Sequence, residues 1–203
     1  MFNVEEGLTD GWVDALNLID TEMPYRKEDF YNSIKQESLA QHNWWYNEVS
    51  ALNINVEKSN VYAPGYGVYS VPLLRRLGAK VVRMYDYDQQ IQEINWRVNK
   101  FDAQLITYEH YVMDVIFDHN WVNKDVDFVL NTSCEVMYHF HKIKKEYSHD
   151  TVFCLQGTNK PKKGNINLPQ TLDEFIITTG ITDIYFDGVL PDNGWERYMV
   201  IGR

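Results

Sequence analysis

The chain has 203 residues, 44% hydrophobic and 24% charged, and a formal net charge of −10; this suffices for one domain with a single core and argues against a long nucleic-acid footprint, which needs clustered Lys and Arg. No apolar run approaches the ~20 residues of a bilayer-spanning helix, and the acidic start Met1-Phe2-Asn3-Val4-Glu5-Glu6 lacks the basic and apolar regions of a signal peptide. Two cysteines, Cys134 and Cys154, are too few for a disulfide scaffold, so a cytoplasmic protein without a membrane partner is expected.

Residues 1–30 read as irregular with a short helix over 12–18, and 28–52 as a helix with Trp45, Val49 and Leu52 on one face. Trp44-Trp45-Tyr46 is the densest aromatic cluster and reads as packing between that helix and the body. A strand over 56–62 leads to the turn Gly65-Tyr66-Gly67. The next helix, 69–77, carries Pro72 in its first turn and stops at Gly78. A strand over 80–85 is followed by Asp86, then by a helix that Asp88 can cap, with Ile91, Ile94, Val98 and Phe101 as its apolar stripe.

Strands are expected over 105–108, 126–130 and 151–155, with Val136, Phe140, Ile143 and Tyr147 at helical spacing after Cys134. Lys142-Ile143-Lys144-Lys145 suits the end of that helix, where cations are favoured. Lys160-Pro161-Lys162-Lys163 either lines a site or solubilises a loop. Thr171-Leu172-Asp173-Glu174 has the form of a capping box for a helix through Thr179. The chain closes on a hairpin, 183–190 and 197–201, turned at Pro191-Asp192-Asn193-Gly194. The alternation predicts an α/β protein: a Rossmann-like three-layer sandwich with a mostly parallel seven-stranded sheet and an antiparallel C-terminal hairpin strand. Two parts are expected, an N-terminal helical cap over 1–55 and a nucleotide-binding domain over 56–203.

Strand, glycine turn, helix, strand and acid in that order form the first half of a nucleotide-binding unit, with Asp86 about 20 residues past the turn, where such folds grip a ribose. A dinucleotide fingerprint would place a third glycine at Ser70, and no Gly-Lys-Ser or Gly-Lys-Thr of a phosphate loop follows the turn. His139 and His141 lie two apart, so on a helix they point to opposite sides and no metal site is expected. Cys134 reads as packing, whereas His42 faces an acceptor or is structural.

On Pro64-Gly65-Tyr66-Gly67, Asp86, Met113-Asp114, Asp127-Phe128-Val129-Leu130-Asn131 and the terminal hairpin, the chain resembles the class I S-adenosylmethionine-dependent methyltransferases over 60–203. More narrowly it resembles small methyltransferase-like proteins of bacteriophages and some bacteria, through Asn131-Thr132-Ser133-Cys134-Glu135, Leu155-Gln156 with Asn159, Leu172-Asp173-Glu174-Phe175 and Tyr198-Met199-Val200-Ile201-Gly202. The resemblance implies S-adenosylmethionine as cofactor, held by Gly65, Tyr66, Gly67, Tyr69, Asp86, Tyr87, Asp114 and Asn131. Asp86 would take the ribose hydroxyls and Asp114 the adenine amino group. Glu135, just past the fourth strand, is the candidate base, with Asn131 beside it.

The acceptor would be a small molecule or a protein; the Asn-Pro-Pro-Tyr and Pro-Cys motifs of DNA methyltransferases are absent. Asp86-Tyr87-Asp88 with the glycine turn also resembles nicotianamine-synthase-like enzymes, which transfer an aminocarboxypropyl group. Ala63 stands where the methyltransferases often have an acid, and Tyr69 where they often have a third glycine. These departures keep a third expectation open, a structural module in a phage assembly or a homo-oligomer.

Overall fold

The computed structural model describes residues 10–137 and 140–203. Among them, seven strands form one sheet in the order β3-β2-β1-β4-β5-β7-β6. The strands are β1 (Lys58–Tyr62), β2 (Val81–Asp86), β3 (Thr107–Val112), β4 (Phe128–Asn131), β5 (Val152–Thr158), β6 (Ile184–Asp192) and β7 (Trp195–Gly202). β1 to β5 run parallel to one another, while β7 runs antiparallel to both β5 and β6. Asn193 (φ 49°) and Gly194 (φ 86°) turn the β6–β7 hairpin, both left-handed as a two-residue turn of this hand requires. The chain moves outward from β1 to β3 and then crosses back to β4. The crevice between β1 and β4 is therefore the switch point where open α/β sheets bind ligands.

Side-chain alternation divides the core in two. Val61, Val82, Met84, Phe128, Leu130, Cys154, Met199 and Ile201 face one layer; Tyr62, Tyr85, Val129, Phe153, Leu155, Tyr198 and Val200 face the other. The first layer holds α1 (Asp10–Glu22), α2 (Lys27–Ser33), α3 (Gln36–Ala51), α4 (Ser70–Arg76) and α5 (Gln89–Val98). The second holds α6 (His141–Lys144) and α7 (Leu172–Thr179).

Several expected elements differ. The short helix over 12–18 is the longer α1, whose Trp12, Ala15, Leu18 and Ile19 are buried. Gly11 lies so close to the Arg97 and Val98 carbonyl oxygens that a Cβ would collide with them. Tertiary packing, which supplies most helix stability, thus sets α1 against the end of α5.

The helix expected over 28–52 is two helices, parted at Lys35, whose backbone is extended (φ −63°, ψ 160°). The break frees the Ile34 carbonyl, which accepts a hydrogen bond from the Tyr69 hydroxyl at 3.0 Å. Trp45 and Val49 are buried as the spacing predicts, while Leu52 lies exposed at the helix end. α5 stops at Val98, leaving Phe101 exposed rather than on its stripe. β3 begins at Thr107, not at Leu105, because a 3-10 turn, Asp102–Gln104, intervenes.

The helix expected after Cys134 is a 3-10 turn, Cys134–Val136, an extended Met137 and then the four-residue α6. Asn131 ties this segment down: its Oδ1 accepts from the Ser133 N–H at 2.8 Å and its Nδ2 lies 2.9 Å from Met137 Sδ. Thr171 caps α7 by accepting from the Glu174 N–H at 3.2 Å. Glu174 reaches past Thr171 to the Gln170 N–H at 2.7 Å, so the box closes one residue early. No helix among the described residues is long and apolar enough to cross a membrane.

Candidate active site

The carboxyl ends of the parallel strands open into two cavities that share Ala63. The smaller, about 210 Å³, is lined by Asp86 and Tyr87 after β2, Met113 to Ile116 after β3, and Val136, Met137 and Ile166. The larger, about 480 Å³, lies between the glycine turn, α2 and α3, the segment after β4, and Arg197 at the start of β7.

The glycine turn is built to leave space. Ala63, Gly65 and Gly67 all have positive φ (45°, 54° and 62°). A Cβ on Gly65 would meet nothing within 4 Å, so its missing side chain is open room in the cavity wall; one on Gly67 would strike Met84 Cε. Beneath the turn, Asn95 Nδ2 donates to the Gly65 carbonyl at 3.0 Å and Asn99 Nδ2 to the Tyr66 carbonyl at 3.4 Å. Asn95 and Asn99 are buried, and the Tyr108 hydroxyl donates to Asn95 Oδ1. Motif reading missed this pair, although two Asn four apart, beside the Ile91, Ile94 and Val98 stripe, were a visible signal.

Asp86 is 6% exposed. Its Oδ2 accepts from the Gly65 N–H at 3.2 Å and its Oδ1 from the Asp88 N–H at 3.0 Å. Desolvation raises its pKa above the ordinary carboxylate value, and those two N–H groups oppose the rise. Each oxygen retains acceptor capacity, so hydroxyl donors would relieve the desolvated charge. Asp88 caps α5, as expected, through the Gln90 N–H at 3.0 Å and pairs with Arg26. Tyr87 is exposed at the rim. Asp114 Oδ1 holds its own loop, accepting from the Ile116 N–H at 2.9 Å and the Phe117 N–H at 3.3 Å.

In the larger cavity Glu135 is 8% exposed. Its Oε1 pairs with Arg197 at 3.5 Å, whose Nη1 donates to the Thr132 carbonyl at 3.0 Å. Glu135 Oε2 is buried with no hydrogen-bond partner among the described residues. Desolvation raises the Glu135 pKa, and Arg197 opposes it. His42 lines the same cavity, with Nδ1 2.8 Å from the Ser38 carbonyl and its pKa lowered to about 4, mainly by desolvation. It is therefore neutral, with its proton on Nδ1.

Asn131 is fully buried and lines neither cavity; its carboxamide is occupied within the loop. Tyr66 and Tyr69 line the larger cavity with the glycines. Their hydroxyls turn toward α2, Tyr66 to Asp29 Oδ2 and Tyr69 to the Ile34 carbonyl, each at 3.0 Å. Cys134 is buried and its thiol is pushed up by desolvation. His139 lies outside the described residues, among which no metal-holding group of His, Cys, Asp and Glu occurs. Arg197 was also invisible to motif reading, because only the β5–β7 register brings it opposite Thr158.

No protein-family model matches the chain, and no curated protein matches it. Solved structures do. The ribosomal protein L11 methylase of Lactobacillus delbrueckii subsp. bulgaricus is similar with a TM-score of 0.58 at 9% identity, over 82% of this chain and 78% of that one. The Podospora anserina methyltransferase PaMTH1, bound to S-adenosylhomocysteine, gives 0.58 at 11% identity over 95% and 88%. Mitomycin 7-O-methyltransferase MmcR gives 0.60 at 13% identity over 96% of this chain and 61% of its own. Together with the strand order, these likenesses show the fold, which is that of the class I S-adenosylmethionine-dependent methyltransferases.

Proposed function

We propose that the protein is an S-adenosylmethionine-dependent methyltransferase acting on a small-molecule or protein acceptor. The observation that carries this reading is the Asp86 carboxylate, buried in the wall of the smaller cavity and tied to the N–H of Gly65, which lines the larger one. Asp86 would hold the ribose and Asp114 the adenine edge of the smaller cavity. The open space at Gly65 would admit the amino-acid end of the cofactor, whose sulfonium supplies an electrophilic methyl group. Tyr66 and Tyr69 brace the wall, Tyr87 screens the rim and Asn131 positions the segment carrying Glu135. Holding nucleophile and methyl group at attack distance can supply about 7–11 kcal/mol of such a barrier. Glu135, with its raised pKa, suits a general base. The reading extends to the small phage and bacterial methyltransferase-like proteins that the Asn131–Glu135 segment resembles, and to a cytoplasmic setting, which two free buried thiols favour.

The test is calorimetric titration with S-adenosylmethionine, S-adenosylhomocysteine and NAD. The first two should bind and NAD should not. Asp86→Ala should weaken binding about a hundredfold or more, since two charge-assisted hydrogen bonds are lost. Undiminished affinity in that variant removes the assignment. With an acceptor in hand, S-adenosylhomocysteine as product marks methyl transfer and methylthioadenosine marks aminocarboxypropyl transfer.

A further inference from the structure

The larger cavity is lined by a residue with one unpartnered hydrogen-bond acceptor, Glu135. Glu135 Oε2 is a carboxylate oxygen removed from water and left without a donor among the described residues. A buried polar atom in that state is destabilising, more so when charged, unless something supplies the missing hydrogen bond. His42 offers the ligand no donor: its Nδ1 proton goes to the Ser38 carbonyl, and its Nε2 meets the Ser70 hydroxyl at 3.4 Å.

Two of the cations nearby are paired: Arg197 serves the Thr132 carbonyl and Glu135 Oε1, with its buried Nε left without a partner among the described residues, and Lys160 lies 3.7 Å from Asp192. Lys35 and Lys162 are exposed residues of the cavity wall, as are Glu37 and Asp29, and the Lys162 charge acts on Glu135 more weakly than Arg197 does. A net charge of −10 adds a field that draws cations. A ligand that donates hydrogen bonds and carries positive charge satisfies this wall, whereas an anionic one would face Glu135.

We propose that the methyl acceptor presents a basic amine nitrogen, seated against Glu135 Oε2 on the floor of the larger cavity. The proposal rests on the donor-site reading above and names its acceptor class. In the transfer, the bound ammonium first passes one N–H proton to Glu135 Oε2; the lone pair so freed forms the new N–C bond while the S–C bond pair stays on sulfur, and the product leaves as the methylated ammonium. Arg197 is a positioning residue, fixing the carboxylate through Oε1 so that Oε2 faces the ligand.

The test uses the full chain and three probes of equal length: n-butylammonium, n-butanol and sodium butyrate. Binding is read by amide NMR in the presence and absence of S-adenosylhomocysteine. The reporters are the Ile166 and Asn167 N–H groups, which donate to the Glu135 carbonyl at 2.8 and 3.1 Å. Butylammonium should shift both resonances saturably, and Glu135→Gln should weaken that binding about tenfold or more.

Butanol should bind at least tenfold more weakly, and butyrate should leave the reporters unmoved. Preference for butyrate, equal response to butanol, silence of all three, or undiminished butylammonium binding in Glu135→Gln each overturns the amine assignment. The wild-type comparison decides the matter even if that variant fails to fold. S-adenosylmethionine titrated into the same samples separates the two readings: cofactor binding without amine binding overturns only the acceptor class, and the reverse overturns only the donor.

Discussion

Gly65 and Gly67 share a backbone conformation but not a reason for being glycine. At Gly67 a Cβ would be strained by φ 62° and would also collide with Met84 Cε, so Gly67→Ala should cost about 2–4 kcal/mol in urea unfolding. At Gly65 only the φ of 54° opposes a side chain, and Gly65→Ala should cost about 1 kcal/mol. The smaller stability loss should come with the larger loss of S-adenosylmethionine affinity, because that methyl group enters the cavity. Equal stability losses would mean that Met84 yields to the added group. Asp86 gives a pH signature. Its folded pKa is raised above the ordinary 3.8 by desolvation, so the folded state binds this proton more tightly than the unfolded chain. Its contribution is present in full below the unfolded pKa and is lost as pH rises through the folded one. Without ligand, the stability difference between wild type and Asp86→Asn should therefore move in favour of wild type on acidification through that window. A difference that does not change with pH would contradict the buried placement.

At the scale of elements, α2 is latched over the glycine turn. Arg26, just before α2, pairs with Asp88 and donates to Gln90 at 2.9 Å, while Asp29 within it takes the Tyr66 hydroxyl. Arg26→Ala should lower the opening free energy of the α2 amides by about 1 kcal/mol, the scale of a part-exposed ion pair. Hydrogen exchange reads this directly, and exchange unchanged at 27–33 would show that Phe30 packing alone holds the helix. The expected single helix over 28–52 hid this device, because both halves have helical spacing and no Pro or Gly marks the break. The segment after Cys134 misled in the opposite way. Phe140, Ile143 and Tyr147 are buried as their spacing suggests, but Asn131 ties the intervening backbone out of helical geometry.

In the whole molecule, the N-terminal helices and the sheet share one core. Ile19, Phe30, Trp45 and Val49 are almost wholly buried in the same cluster as Val61, Leu130 and Met199. Each such burial is worth about 1.5–3 kcal/mol, and the sum is comparable to the 5–15 kcal/mol that stabilises a typical domain. Deleting residues 1–55 should therefore abolish cooperative unfolding and near-UV circular dichroism. A truncated chain that kept both would stand as an independent domain with a dispensable cap.

By itself the sequence determined the features that are local in the chain: the strand–turn–helix order, the glycines at left-handed positions, Asp86 at the strand end, the Asp88 and Thr171 caps and the Asn193-Gly194 turn. These follow from backbone sterics and hydrogen bonding within a few residues. The tertiary structure alone decided what depends on distant segments meeting. It brought Asn95 and Asn99 beneath the glycine turn, locked Asn131 into its loop, set Arg197 against Glu135 and latched Arg26 to Asp88. The physical reason is that burial and pairing depend on distance in space, and a spacing along the chain carries no record of which remote side chain will lie 3 Å away.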